Sequence, residues 1–201
     1  MKVVAFNGSP RREGNTAQSI RIVLSELEQK GIATEFVQLG GMKVFGCLAC
    51  GKCFERKDSR CARKDDDMNS LIAKMQEADG IIIGSPTYFS NVSTEVKALI
   101  DRSGYVNKAN GGQLLRGKSG AAVVSARRAG STFVYSAINF FFGIAEMNIP
   151  GSSYWNMTLS QHPGDVEHDA EGIRTFETLG RNMAALVKQT SPGGDRTEII
   201  G

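Results

Sequence analysis

Proline, aromatic residues and net charge are all scarce in this chain. Five prolines and 7% aromatics in 201 residues, beside 23 glycines, exclude a collagen-like or linker composition. The glycines fit tight loops between regular elements instead. The 24 basic and 21 acidic residues leave a formal net charge of only +3, too balanced to suggest a nucleic-acid or membrane surface. No apolar stretch approaches the ~20 residues of a membrane helix. The start, Met1 to Gly8, holds a short apolar run and then a polar turn, unlike a signal peptide. These absences predict a cytoplasmic protein, where disulfides are rare. Hydrophobic residues at 41% and charged residues at 22% exclude wholesale disorder. The length suits one domain with a sizeable core.

Runs and spacings predict an alternating order of elements. Val3–Phe6, closed by Asn7-Gly8-Ser9-Pro10, reads as a buried strand. Thr16–Lys30 carries Ala17, Ile20, Val23, Leu24 and Leu27 at helical spacing, with Gly31 as a C-terminal cap. Thr34–Leu39 is a second strand and Met68–Glu77 a helix. Ile81–Ile83, ended by Gly84-Ser85-Pro86, is a third strand. A helix follows around Val96–Ile100, then strand Ala121–Val124, helix Phe133–Met147, strand Tyr154–Met157 and helix Val166–Lys188. Such alternation specifies a parallel sheet with helices on both faces, whose ligands bind at the C-terminal strand edge. The one break is residues 40–64, too long for an ordinary connection. Thr190–Gly201, with Pro192-Gly193-Gly194, reads as a flexible tail or an arm to a partner subunit. Phe140-Phe141-Phe142 reads as core or subunit interface. His162 and His168, flanking Pro163-Gly164-Asp165, read as surface residues.

The segment Gly8-Ser9-Pro10-Arg11-Arg12-Glu13-Gly14-Asn15-Thr16 joins the first strand to the first helix. Backbone N–H groups, small hydroxyls and a helix dipole make such a loop an anion site. Ser9, Asn15 and Thr16 supply donors, and Arg11 or Arg12 supplies charge. It lacks G-x-G-x-x-G, and no Lys follows Gly14, so it is neither a dinucleotide fingerprint nor a P-loop. No cysteine precedes Cys47, which excludes a cysteine-nucleophile phosphatase loop there.

Loop one resembles the first loop of the flavodoxin-like NADPH-dependent FMN reductase superfamily. The second loop, Gly84-Ser85-Pro86-Thr87-Tyr88-Phe89-Ser90-Asn91-Val92, is similar to that family's as well. The resemblance covers roughly residues 1–188 and implies a flavodoxin-like three-layer α/β sandwich, with a five-stranded parallel sheet in the order 2-1-3-4-5. It implies that loop two wraps the flavin ring through Pro86, Thr87, Tyr88, Phe89 and Asn91; the plainer alternative for Tyr88 and Phe89 is core packing. Ser125 and Arg127 fall in the third cofactor loop, residues 125–131. There Arg127-Arg128 replaces the glycines of many relatives. One arginine meeting a flavin oxygen or the 2′-phosphate of NADPH competes with two merely solvated arginines. Tyr154-Trp155-Asn156 resembles a recurrent segment of the family near strand five.

All four cysteines fall in the pattern Cys47-x2-Cys50-x2-Cys53-x7-Cys61. Four thiolates on one loop suit an iron–sulfur cluster or zinc, and the first three match the start of the bacterial ferredoxin run. The last gap is longer and Ala62 stands in place of Pro. The loop is similar to that of the iron–sulfur flavoprotein branch, which implies a [4Fe-4S] cluster near FMN. A zinc site and metal-free thiols remain alternatives. The basic neighbours Lys52, Arg56, Lys57, Arg60, Arg63 and Lys64 would offset a cluster's negative charge, steer a partner, or form a solvated face.

The expected protein is therefore an FMN-binding domain over residues 1–189 with a cysteine-rich insertion at 40–64. The flavin carries the chemistry, so no side chain need act as acid or nucleophile. Electrons would pass between a reduced donor, ferredoxin or NAD(P)H, and a small acceptor or quinone. An NAD(P)H-dependent FMN or quinone reductase without a cluster is the alternative, and a non-catalytic flavin- or metal-binding module the third. The resemblance also implies a homodimer or homotetramer.

Overall fold

A computed structural model of the chain describes residues 1–191. Five strands, β1 (Lys2–Asn7), β2 (Ala33–Gln38), β3 (Gly80–Pro86), β4 (Ser119–Ala126) and β5 (Met157–Leu159), form one sheet in the order 2-1-3-4-5. Every pairing is parallel. Six helices accompany them: α1 (Asn15–Gln29), α2 (Lys52–Arg56), α3 (Met68–Glu77), α4 (Thr94–Ala109), α5 (Ser131–Ile144) and α6 (Ala170–Thr190).

The strands are apolar on both sides because both faces are covered. Alternation splits them into two cores. Val4, Phe6, Ile81, Ile83, Ala122 and Val124 pack with side chains of α3, α4 and α5. Val3, Ala5, Ile82, Ala121 and Val123 pack with α1 and α6. Each fully buried aliphatic side chain contributes about 1.5–3 kcal/mol. Strand order reverses between β1 and β3, so the loops after these strands flank the crevice where such sheets bind ligands.

Several boundaries differ from the sequence expectation. The fifth strand is Met157–Leu159, not Tyr154–Met157, because the ladder pairs Val124, Ser125 and Ala126 with Met157, Thr158 and Leu159. Helix α5 stops at Ile144, short of Met147. Glu146 takes φ +55° and the Met147 N–H turns back to the Phe142 carbonyl. Helix α6 begins at Ala170 rather than Val166. A 3-10 turn over Asp165–His168 precedes it, and the Asp169 carboxylate caps it by accepting from the Gly172 N–H. Thr190 closes α6, while the rest of the expected tail, from residue 192 onward, lies outside the described residues. Phe141 and Phe142 are core, whereas Phe140 is exposed. His162 and His168 are exposed, as expected.

Candidate functional site

Loop one runs from Gly8 to the start of α1, which begins without a side-chain cap and without an acidic residue in its first turn. Its leading N–H groups are therefore available to an anion. The loop is held from two sides. Gln38 Nε2 donates to the Ser9 carbonyl at 2.6 Å, and Gln38 Oε1 accepts from Asn7 Nδ2 at 2.6 Å. The Gly8 N–H donates to the Gly84 carbonyl at 2.8 Å. Glycine is required at position 8, where a Cβ would lie 2.2 Å from Val96 Cγ2. Loops one and two are thus locked together at the switch point.

Ser9 and Thr16 are buried beside the helix start, while Arg11 and Arg12 extend into solvent. Asn15 has a different task from the one expected. Its Nδ2 donates to the His162 carbonyl at 2.7 Å, and its Oδ1 accepts from the N–H groups of Gly164 at 3.0 Å and Val166 at 3.4 Å. The side chain ties loop one to the segment before α6.

Loop two is a tight hairpin. Tyr88 and Asn91 exchange backbone hydrogen bonds at 3.0 and 2.9 Å around Phe89 and Ser90, whose φ values are +47° and +59°. Two consecutive non-glycine residues in the left-handed region mark stored backbone strain. Phe89 is fully exposed and Tyr88 about half so (47%), so neither serves the core. Asn91 is also exposed, its Oδ1 accepting from the Val92 N–H. Gly130 of the third loop, at φ +87°, touches this turn; a Cβ there would sit 2.5 Å from Ser90 Oγ. Arg127 and Arg128 are exposed and make no ion pair among the described residues.

The deciding observation lies on the sheet edge between these loops. Four buried side-chain oxygens, Thr87 Oγ1, Ser125 Oγ, Asn156 Oδ1 and Ser160 Oγ, have no hydrogen-bond partner among the described residues. They are neighbours: the Thr87 N–H donates to the Ser125 carbonyl, the Asn156 carbonyl accepts from the Val124 N–H, and the Ser160 N–H donates to the Ala126 carbonyl. Such unsatisfied groups cost free energy unless something docks on them. A heterocycle edged with acceptors and donors fits the set, so these residues suit a flavin. Asn156 and Ser160 were not singled out as contacts by sequence reasoning; their signal is the sequence just before and after a strand ending at the C-terminal edge.

A match to the NADPH-dependent FMN reductase family covers residues 1–162. The chain belongs to this family. It is 37% identical over 195 residues to an iron–sulfur flavoprotein of Methanocaldococcus jannaschii, covering 94% of this chain and 98% of that one. It is 29% identical over 198 residues to an iron–sulfur flavoprotein of Methanosarcina thermophila, covering 98% and 100%. Its fold matches a WrbA-like flavodoxin of Agrobacterium tumefaciens with TM-score 0.63 at 16% identity, covering 94% of this chain and 98% of that one. An NADH:FMN oxidoreductase matches with TM-score 0.64 at 15% identity, covering 96% and 92%. The protein is an FMN-dependent oxidoreductase of the iron–sulfur flavoprotein branch. No helix among the described residues is long and apolar enough to cross a membrane.

The cysteine-rich segment forms a second site against α4. Cys47, Cys50, Cys53 and Cys61 are free thiols lining one cavity of about 230 Å³, together with Arg63, Asp65, Arg102 and Tyr105. That volume is below the roughly 300–1,000 Å³ of organic-ligand pockets. The turn at its mouth puts Ala49 at φ +51° and aims the Ala49 N–H at Cys47 Sγ, 3.4 Å away. Burial pushes the Cys53 thiol above its ordinary pKa, and the neighbouring Cys61 and Cys47 add to this against opposing hydrogen bonds from Phe54 and its own N–H. Asn69 fixes the far end, accepting from the Cys61 N–H at 2.8 Å and donating to the Cys61 and Arg63 carbonyls at 3.0 Å each. Among the described residues no three Cys, His, Asp or Glu side chains converge as a set for one metal ion.

Proposed function

We propose that this chain seats FMN at the switch point and a [4Fe-4S] cluster in the cysteine cavity, and passes electrons between a reduced donor and a small acceptor or quinone. The unpartnered oxygens of Thr87, Ser125, Asn156 and Ser160 carry the reading for FMN. The uncapped start of α1, with Ser9, Thr16 and Arg11, would hold the phosphate, and the strained Tyr88–Asn91 turn would flank the ring. When bound, FMN supplies the hydride and single-electron chemistry, while the protein positions it and excludes water.

Cys47, Cys50, Cys53 and Cys61 would hold the cluster. Their free thiols, the N–H directed at Cys47 and the small cavity support it. Free thiols also suit the reducing cytoplasm. We further propose self-association through α5, which exposes Phe133, Phe140 and Ile144 at 68%, 75% and 86% along one side.

Anaerobic purification followed by a visible spectrum and iron and sulfide assays tests the proposal. Flavin bands with broad absorbance and about four irons per chain are expected. Flavin bands without iron or labile sulfide would remove the cluster. A second reading, reductase activity fed directly by NAD(P)H, is favoured by the unpaired Arg127 and Arg128 on the third loop. A drop in NADPH turnover in Arg127→Ala, with NADH turnover unchanged, would support it.

A further inference from the structure

Arg102 on α4 is the largest fully buried side chain among the described residues. It lines the cysteine cavity. Its Nη1 donates to the Asp66 carboxylate and, at 3.0 Å, to the Phe45 carbonyl, and its Nη2 donates to Asp66 Oδ1 at 3.1 Å. The Asp66 side chain is itself fully buried. The pair is neutral and well made, and it accounts for both terminal nitrogens. It does not account for Nε, which is buried and donates to nothing among the described residues.

A guanidinium N–H left without an acceptor is costly, and more so on a charged group. Of the acceptors lining this cavity, the Asp65 carboxylate already takes two hydrogen bonds from Arg63, which leaves the cysteine sulfurs. Cys61 lines this cavity together with Arg102 and packs, half-buried, against the core to which α4 contributes. Asn69 meanwhile holds the Cys61 backbone in place. One buried, charged donor is therefore fixed and unspent in the cavity that Cys61 lines.

We infer that Arg102 is a positioning residue for the cysteine site, donating its Nε–H to the Cys61 sulfur and so setting the reduction potential of the cluster held there. The inference rests on the cluster reading above. Reduction adds one electron to the cluster and breaks no bond. The added negative charge strengthens a hydrogen bond from a cation, so the donor favours the reduced state. Phe45, Asp66 and Asn69 serve by holding the two partners in register.

The test is an anaerobic potentiometric titration with dithionite, following cluster absorbance and the EPR signal of the reduced form. Arg102→Lys keeps a cation opposite Asp66 but has no counterpart of Nε. We expect full iron and sulfide content, unchanged FMN potentials, and a cluster midpoint more negative by about 59 mV, a tenfold loss in the one-electron equilibrium. An unchanged midpoint with full iron content overturns the inference. Loss of iron from a folded, FMN-loaded variant overturns it too, by making Arg102 an assembly residue. If Arg102→Lys fails to fold, Arg102→Met with Asp66→Leu removes the pair together and yields the same measurement. Wild-type protein without iron or sulfide would sink the cluster reading itself, an outcome visible before any variant is made.

Discussion

Replacing Thr87 by Val should strengthen the apoprotein and weaken its hold on FMN. Thr87 Oγ1 is buried without a partner, on the strand edge next to Ser125. Valine keeps the shape and deletes the hydroxyl. Relief of one unsatisfied buried oxygen is worth about 1–3 kcal/mol. For a chain of this size each kcal/mol raises the melting temperature by roughly 2–4 °C. In the holoprotein the same change deletes a neutral hydrogen bond to the cofactor, worth about 0.5–1.5 kcal/mol, or roughly two- to tenfold in Kd. The two effects have opposite signs, which a general packing defect would not produce. Calorimetry of the apoprotein and quenching of FMN fluorescence read them separately, with Thr87→Ser as the control that keeps the hydroxyl. A Thr87→Val apoprotein that melts lower, or one that binds FMN as tightly as wild type, would refute a Thr87 hydroxyl that is unsatisfied until FMN binds.

Three further outcomes follow from the same structure. Cys50→Ser should abolish iron and sulfide incorporation while FMN remains bound, and stoichiometric iron in the variant would count against the ligand set. Phe140→Asp, on the exposed α5 stripe, should lower the mass measured by light scattering without a loss of helical signal; an unchanged mass places the interface elsewhere. Asp169→Asn should cost about 0.5–1.5 kcal/mol, because an amide NH2 cannot accept from the Thr158 hydroxyl and the Leu159 N–H as Oδ2 does. Burial alone would raise the Asp169 pKa, but donation from the Gly172 and Leu159 N–H groups and the Thr158 hydroxyl holds it below the ordinary carboxylate value. Its stabilisation is thus present above the unfolded pKa of about 3.9 and lost as pH falls through the lower folded value. The gap in denaturation midpoint between wild type and Asp169→Asn should therefore close on acidification, and a gap constant with pH would refute the assignment.

The sheet was legible because its strands are short apolar runs with glycine or proline stops, and the order 2-1-3-4-5 follows once loop one is recognised. The fifth strand was misplaced because Tyr154 and Trp155 have strand-like side chains, yet their rings pair with each other at 5.0 Å and the ladder begins only at Met157. Ser9, Thr16, Thr87 and Ser125 fall on the switch-point edge, where the loop pattern placed them. Asn15 was legible as a loop residue but not as a tie to His162 and Val166, since local patterning carries no information about a partner so distant in sequence. Arg102 was hidden for the same reason: on α4 it follows Asp101 as one more helix charge, and only the packing of Asp66 and Phe45 reveals it as interior.

The reach of Asn15 bears on when the protein becomes competent during synthesis. Its amide joins positions 147 and 149 residues further along the chain, at His162 and Gly164. A nascent chain that has emerged only through β4 already owns loops one and two, yet lacks this tie, as well as Asn156 and Ser160. Cofactor loading is thereby made a late event, gated by the arrival of the segment from Asn156 to Val166. A release assay on ribosome-bound chains of increasing length should find tight FMN retention only after residues through Val166 have left the exit tunnel.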